Sequence, residues 1–446
     1  MPKIKTKAKI GLISLGCPKN LVDSEVMLGL LKKEGYCITE DFNRCDAAVI
    51  NTCSFIEDAK KESIDLILRI LELKKEKKIR SVIVAGCLPQ RYLNELKKEF
   101  KEVDAFLGTN DFSQIVDAVK KTLNGGRYNG RFGEPVFLYG DQPRSLITPR
   151  HFAYLKVAEG CNNRCSYCVI PDIRGKLRSR PVESILAEAR RLSAKRRLSE
   201  INLIGQDITS YGADLYGRPE LAQLVKKLAE LKPAKWIRLL YTHPGHYTDE
   251  LIDVVRDEPS VCKYLDLPLQ HISDRILRLM NRGVTKKDIT GLIERLRRRI
   301  PNLAIRTTFI VGFPGETDAE FMELLDFVKE EKFERLGVFD YSREEGTPAY
   351  RFKDQVPEDV KKARLDEVMK LQQEIARGVN TKFMGRQLEV LIDEADKSSY
   401  VGRTEYDAPE VDGNCFIKSK KAHKPGDFVK VKITDTLEYD LVGEEV

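Results

Sequence analysis

Short apolar runs alternate with amphipathic stretches along the first 124 residues. The apolar runs predict strands at 9–15, 46–51 and 81–85, and the amphipathic stretches predict helices at 20–33, 57–75, 91–100 and 113–123. Alternation of this kind is typical of a parallel sheet flanked by helices. We therefore predict an N-terminal parallel α/β domain over residues 1–124.

The same alternation returns after residues 125–150, which are rich in Gly, Pro and Arg and predict a linker. Between residues 151 and 375, strands are predicted at 152–158, 200–204, 236–241, 263–267, 304–311 and 335–340. Helices are predicted at 182–195, 220–231, 249–257, 274–280, 286–299 and 318–331. Six strand–helix units favour a partial parallel barrel, (βα)6, over a complete eightfold one.

The last part of the chain, residues 376–446, changes character. Short β-rich runs at 388–392, 400–404, 428–434 and 439–442 are separated by turn residues. This pattern predicts a small antiparallel β-barrel, similar to an OB-fold. The fold class is therefore α/β, with a parallel N-terminal domain, a central partial barrel and a C-terminal β-barrel.

Composition limits the class of protein. The 446 residues are 42% hydrophobic and 33% charged, which is ordinary for a soluble protein with sizeable cores. No apolar run reaches membrane-spanning length, and the basic N-terminus lacks the apolar core of a signal peptide. We expect a cytoplasmic protein with no membrane partner. The net charge of +7 is compatible with nucleic-acid or ribosome contact and proves neither.

Ten cysteines in a reducing compartment indicate metal binding or catalysis. Cys161, Cys165 and Cys168 have C-x3-C-x2-C spacing just after the predicted strand at 152–158. Three thiolates leave one iron of a 4Fe–4S cube open for a ligand that is not cysteine. A structural zinc site is the alternative, but it usually needs four ligands, and the next histidine is His243.

Three further cysteines, Cys17, Cys53 and Cys87, each follow one predicted strand of the N-terminal domain. The carboxyl ends of parallel strands meet at one edge of a sheet, so we predict a second three-cysteine cluster there. The alternative is that these are buried packing residues. We expect the other four cysteines to serve only in packing: Cys37, Cys45, Cys262 and Cys415.

The cysteine spacing and the Gly-Phe-Pro-Gly segment at 312–315 resemble the radical S-adenosylmethionine (SAM) superfamily. The domain order is similar to that of the methylthiotransferases: a cluster domain (MTTase), a radical SAM core and a TRAM domain. The segments 14–25, 160–171 and 407–413 are similar to the RimO type of this family. Relatives that modify tRNA usually begin with a Thr-Tyr-Gly-Cys-Gln-Met-Asn-like segment, which this chain lacks.

The resemblance implies addition of a methylthio group to the β-carbon of an aspartate in small-subunit ribosomal protein S-twelve. That carbon has an unactivated C–H bond, so radical chemistry from a cofactor is expected. The implied cofactors are two 4Fe–4S clusters and SAM, cleaved to a 5′-deoxyadenosyl radical by one electron from an electron donor. The second cluster would deliver the sulfur, and no side chain is assigned as a catalytic acid or base.

Two alternatives remain at this point. A tRNA adenosine methylthiotransferase (MiaB/MtaB-like) predicts a basic TRAM surface, but residues 381–446 contain ten Lys and Arg against fourteen Asp and Glu. A net charge of −4 disfavours tRNA and suits a basic ribosomal protein. A non-catalytic RNA-binding or scaffold protein is disfavoured because a structural cluster gains from four fixed ligands.

Polar and glycine residues that follow the barrel strands are candidates for cofactor contact. The resemblance implies that Tyr167 packs near the adenine, and a close backbone approach to the adenosine is expected at Gly312, Pro314 and Gly315. Other candidates for the cofactor or substrate are Gln206, Asp207 and His271, with plain hydrogen bonding as the alternative. We expect a carboxylate of the cofactor or substrate to pair with Arg174, Arg178 and Arg180. The alternative is that these arginines are solvated.

Overall fold

A computed structural model describes residues 8–396 and 399–446, so the first seven residues of the basic N-terminus lie outside it. Its first sheet has six strands: β1 (Lys9–Ser14), β2 (Cys37–Thr39), β3 (Ala47–Thr52), β4 (Ser81–Gly86), β5 (Ala105–Leu107) and β6 (Tyr128–Asn129). They are all parallel, in the order β2-β1-β3-β4-β5-β6. Four helices accompany them: α1 (Pro18–Lys33), α2 (Glu57–Lys75), α3 (Cys87–Glu99) and α4 (Ile115–Leu123).

The parallel N-terminal sheet is confirmed, with two differences from the prediction. The strands β2, β5 and β6 were not expected, and β6 lies within the stretch predicted as a linker. Helix α3 begins at Cys87, four residues before the predicted start at residue 91. A proline is tolerated in the first turn of a helix, where its missing N–H costs nothing, so Pro89 does not delay the start.

The second sheet is also parallel, with six strands in sequential order, as predicted. They are β7 (Phe152–Lys156), β10 (Glu200–Ile204), β11 (Trp236–Leu239), β12 (Val261–Asp266), β13 (Ala304–Val311) and β14 (Arg335–Asp340). Two strands of two residues each, β8 (Ala158–Glu159) and β9 (Arg178–Ser179), lie between β7 and β10 in the sequence and are not part of this sheet. The helices are α5 (Ile170–Arg174), α6 (Val182–Lys195), α7 (Ala213–Tyr216), α8 (Leu221–Leu231), α9 (Asp249–Asp257), α10 (Asp274–Leu279), α11 (Lys286–Arg299), α12 (Asp318–Glu331) and α13 (Glu358–Asn380).

The C-terminal strands close into a small barrel in the order β15-β16-β17-β19-β18. They are β15 (Gln387–Asp396), β16 (Ser399–Thr404), β17 (Cys415–Lys418), β18 (Phe428–Thr436) and β19 (Leu441–Glu445). The barrel prediction is confirmed, but β17 was missed and pairs in parallel with β19, so the barrel is not wholly antiparallel. Cys415 is buried in its core, whereas Cys37 is exposed and the packing role predicted for Cys37 is wrong.

The chain forms two compact units. The first contains residues up to Ile147 together with Ala158–Asn162 and Cys168–Arg180, and the second contains Thr148–Val157, Asn163–Tyr167 and Pro181–Val446. Within the described ranges, no helix is long and apolar enough to cross a membrane.

In the second unit, polar side chains of the parallel strands hold the loop that follows β16. The Tyr154 hydroxyl donates to Glu410 at 2.7 Å, and the Tyr264 hydroxyl donates to Asp412 at 2.7 Å. Arg335 donates from its Nε to Asp407 at 2.9 Å. The C-terminal barrel is therefore tied to the parallel strands by carboxylates of one loop.

Candidate metal centre

Three cysteines lie at the carboxyl ends of neighbouring strands in the first unit. Cys17 precedes α1 as its N-cap, Cys53 directly follows β3, and Cys87 follows β4 as the first residue of α3. Because β1, β3 and β4 are adjacent and parallel, the three residues reach the same edge of the sheet, as the sequence predicts. Two of the three lie at helix N-termini, where the helix dipole favours negative charge.

Two glycines let the backbone approach closely at this edge. Gly86 has φ +101°, and a Cβ there would lie 2.6 Å from the backbone oxygen of Thr52. Gly16 has φ +82°, and a Cβ there would lie 2.9 Å from the Cys53 sulfur. Any larger side chain would therefore push the strand ends apart.

The three thiols are close enough to influence one another's charge. Burial raises the pKa of Cys53 to about 12, and the neighbouring Cys87 and Cys17 add to the rise. Burial also raises the pKa of Cys87. Burial would raise the pKa of Cys17 too, but Lys19 and Arg174 outweigh it and the pKa falls below its usual value. A bound cation would relieve the repulsion among three such thiolates.

Arg174 adds a positive charge to this group. Its Nη2 donates to the Cys87 sulfur at 3.4 Å and to Asn20 Oδ1 at 3.2 Å, while its Nη1 donates to Asp23 at 2.6 Å. Asp23 also accepts a hydrogen bond from the Tyr139 hydroxyl. Arg174 therefore pairs with a carboxylate of this chain, contrary to the expectation of a cofactor or substrate partner.

The three cysteines of the C-x3-C-x2-C stretch have different surroundings. The Cys161 amide donates to the Gly175 oxygen at 3.1 Å, and the Cys168 sulfur accepts from the Ile170 amide at 3.5 Å, both within the first unit. In the second unit, the buried Cys165 sulfur accepts from Arg282 Nη1 at 3.7 Å. Hydrogen bonds to ligand sulfurs are typical of iron–sulfur proteins.

The donor sets fit iron–sulfur clusters. Each set offers three thiols, the ligand type that such clusters require, and one thiol of each set accepts from a buried guanidinium. Among residues 8–396 and 399–446, no three His, Cys, Asp or Glu side chains are placed to hold a single metal ion. The thiolates of a 4Fe–4S cube bind separate irons, so they are spaced more widely than the ligands of one ion.

Known proteins match the whole length of the chain. Residues 155–328 match the model of the Radical SAM superfamily, residues 384–446 that of the TRAM domain, and residues 9–108 that of Uncharacterized protein family UPF0004. "Ribosomal protein uS12 methylthiotransferase RimO" of Desulforamulus reducens is 51% identical, over 98% of this chain and 99% of the relative. The protein of that name from Citrifermentans bemidjiense is 49% identical, over 99% of both chains. The chain belongs to the RimO methylthiotransferase family.

Solved structures agree on the fold. The radical SAM methyltransferase TsrM from Kitasatospora setae, with cobalamin and a 4Fe–4S cluster bound, has a TM-score of 0.56 at 16% identity over 77% of each chain. As a member of the RimO family, the protein is a radical SAM methylthiotransferase. Membership of the superfamily implies SAM and a 4Fe–4S cluster.

The glycine segment predicted to approach SAM lies in the second unit of this RimO-family chain, with residues 312–314 buried and Gly315 half-buried. Gly312 has φ +68°, but a Cβ there would lie 2.3 Å from Cγ of Lys361, so a lysine side chain fills that space. Gly315 has φ +82° and is more open, with Arg275 as the nearest group at 3.7 Å. Pro314 is buried between them.

Of the remaining candidates, Tyr167 lies beside the glycine segment, because it packs against the apolar cluster that contains Phe313 and Tyr341. Gln206 is half-buried after β10. His271 is fully buried, and its Nδ1 accepts from the Ser273 amide at 3.0 Å. The guanidinium of Arg178 donates to backbone oxygens of Lys176 and Arg174, and Arg180 is fully buried.

Asp207 is the centre of a polar group that sequence reasoning identified only in part. Its Oδ2 accepts from Asn163 at 3.0 Å, from Ser210 at 2.7 Å and from His246 Nδ1 at 2.8 Å. Burial would raise the pKa of Asp207, but the hydrogen bonds from His246 and Thr209 and the charges of His246 and His243 together lower it below its usual value. Asn163 lies within the cysteine stretch, and this position in the sequence could have identified it as a candidate site residue.

Proposed function

We propose that this chain adds a methylthio group to the β-carbon of an aspartate in ribosomal protein uS12. The relatives named as uS12 methylthiotransferases support this substrate, since they are about 50% identical over nearly the full chain. The C-terminal segment 381–446 carries a net charge of −4, which suits contact with a basic protein. The proposed reaction takes place in the cytoplasm.

The proposal assigns two 4Fe–4S clusters to the chain. Cys161, Cys165 and Cys168 would hold the cluster that binds SAM through its open iron. The second set, Cys17, Cys53 and Cys87, would hold the cluster that serves sulfur transfer. The observation that carries this assignment is the placement of these last three thiols at the carboxyl ends of three adjacent parallel strands.

When bound, the cofactors supply radical cleavage of SAM by one electron, abstraction of the substrate hydrogen and delivery of methylated sulfur. The chain's own residues bind and orient these cofactors. Arg174 and Lys19 supply positive charge to the thiolates of the second set. Asn163 holds the cysteine stretch by its bond to Asp207, and Arg282 donates to Cys165. Residues after the barrel strands are proposed to contact SAM: Tyr167, Gln206, Gly312, Pro314 and Gly315.

The test is the intact mass of uS12 after anaerobic turnover with SAM, a reductant and sulfide. We expect one methylthio group in place of one hydrogen, located on an aspartate by fragmentation. Combined replacement Cys17→Ala, Cys53→Ala and Cys87→Ala should abolish this product while SAM cleavage continues. The control Cys37→Ala removes an exposed thiol and should leave the yield unchanged. Methylthiolated adenosine in tRNA, with no change in uS12, would refute the proposed substrate.

A further inference from the structure

We propose that Arg174 is a positioning residue that raises the reduction potential of the cluster held by Cys17, Cys53 and Cys87. The inference rests on the proposed function, because it assumes that these three thiolates hold a cluster. It concerns a residue that the cysteine spacing does not reveal and that the sequence predicts as a partner for a carboxylate of the cofactor or substrate, or else for solvent.

The guanidinium of Arg174 is fixed on several sides. The residue is 2% exposed, and Nη1 donates to Asp23 at 2.6 Å and lies 3.5 Å from Glu159. Nη2 donates to Asn20 Oδ1 at 3.2 Å, and the ring of Phe112 lies 5.9 Å from the guanidinium carbon. A planar group held in this way cannot turn to meet a substrate or solvent. The guanidinium therefore acts on the buried groups that it contacts.

One of the buried groups that Arg174 contacts is a ligand of the proposed cluster. Nη2 lies 3.4 Å from the Cys87 sulfur, and Cys87 is the first residue of α3, at the helix N-terminus. One-electron reduction of a cluster adds one negative charge to it and moves no proton, because arginine stays protonated. A donor and a positive charge beside a ligand sulfur stabilise that added charge, so they raise the potential.

Asp23 opposes this effect. Its carboxylate is fully buried, and it joins Arg174 and the Tyr139 hydroxyl. A buried negative charge near the cluster disfavours the reduced state. Loss of the positive charge at Arg174 and loss of the negative charge at Asp23 therefore predict shifts of opposite sign. A purely structural role would give no reason for opposite signs.

The test uses the full-length chain with Cys161→Ala, Cys165→Ala and Cys168→Ala, so that only the cluster of interest is present. The protein is reconstituted with iron and sulfide under anaerobic conditions, and its midpoint potential is measured by a redox titration followed by electron paramagnetic resonance. We expect a more negative potential for Arg174→Gln and a more positive one for Asp23→Asn. Arg174→Lys keeps the charge and should lie between Arg174→Gln and the parent.

The matched control is Arg44→Gln, which removes a positive charge from a side chain that is 80% exposed in the same unit. Solvent and salt screen that charge, so the potential should not change. A parent protein without about four irons would contradict the proposed function itself. A parent that holds the cluster, with the same potential in Arg174→Gln, would overturn only the inference.

If Arg174→Gln holds no cluster, the midpoint potential of Asp23→Asn decides the outcome. A more positive potential in Asp23→Asn would support the inference, and an unchanged or more negative one would overturn it.

Discussion

Glu200 is a buried carboxylate of β10 that gives a second tie between the parallel strands and the C-terminal barrel, besides the loop after β16. It is fully buried and accepts from Arg238 Nε at 2.7 Å, and its second oxygen lies 2.8 Å from Nη2 of Arg403. Both arginines are buried, and Arg403 has a further carboxylate partner in Asp393 at 2.8 Å. Two cations and two anions therefore balance inside the second unit.

Glu200→Gln preserves the shape of the side chain and leaves one buried positive charge uncompensated. Removal of one partner from a buried ion pair costs about 3–5 kcal/mol. The glutamine oxygen can still accept from Arg238, and Arg403 keeps Asp393, so we expect the lower end, about 3 kcal/mol, in the free energy of unfolding. Conversion of a pair to apolar residues of similar volume would cost much less.

The assay is urea denaturation of the anaerobic protein, followed by circular dichroism. The control is Glu294→Gln, since Glu294 is 78% exposed and its partner Arg298 is 69% exposed. Such surface pairs contribute about 0.5 kcal/mol or less. Equal losses in Glu200→Gln and Glu294→Gln would refute the reasoning about the buried pair.

Three further predictions concern pH, the backbone and the loop after β16. Burial lowers the pKa of His271 to about 3, so the stability that the neutral ring contributes is complete above its usual pKa of 6.5 and is lost as pH falls from 6.5 towards 3. Between pH 6.5 and 3, His271→Gln should reduce the pH slope of the unfolding free energy by up to about 1.4 kcal/mol per pH unit. An unchanged slope would contradict the lowered pKa of His271. Gly86→Ala should cost about 1–3 kcal/mol and reduce iron bound by the second set, because φ is +101° there; full iron content with wild-type stability would contradict this. Asp412→Asn should cost about 1–3 kcal/mol in urea denaturation, since Tyr264 and the Ala408 amide lose a charged acceptor; no loss would show that the loop is not an anchor.

The parallel sheets could be predicted from sequence because most of their strands are apolar runs of four to eight residues between clear helices. The strands that were missed, β2, β5, β6, β9 and β17, have only two to four residues, which is too short for a hydrophobic period. They form because neighbouring strands supply hydrogen bonds, and that is a tertiary effect.

The candidate site divides in the same way. The cysteines follow predicted strands, so topology alone suggested that Cys17, Cys53 and Cys87 meet at one edge. The partners of Arg174 could not be predicted, since Asp23 lies 151 residues away in sequence and no local pattern links them. The space over Gly312 could not be predicted either, because Lys361 comes from a helix after the last strand of the partial barrel.

Iron content tests the central claim, that two sets of three thiolates each hold a cluster, most directly. The anaerobically reconstituted parent should bind about eight irons per chain, and Ala replacement of either set of three cysteines should reduce this to about four. A parent with about four irons, unchanged by replacement of Cys17, Cys53 and Cys87, would contradict the account.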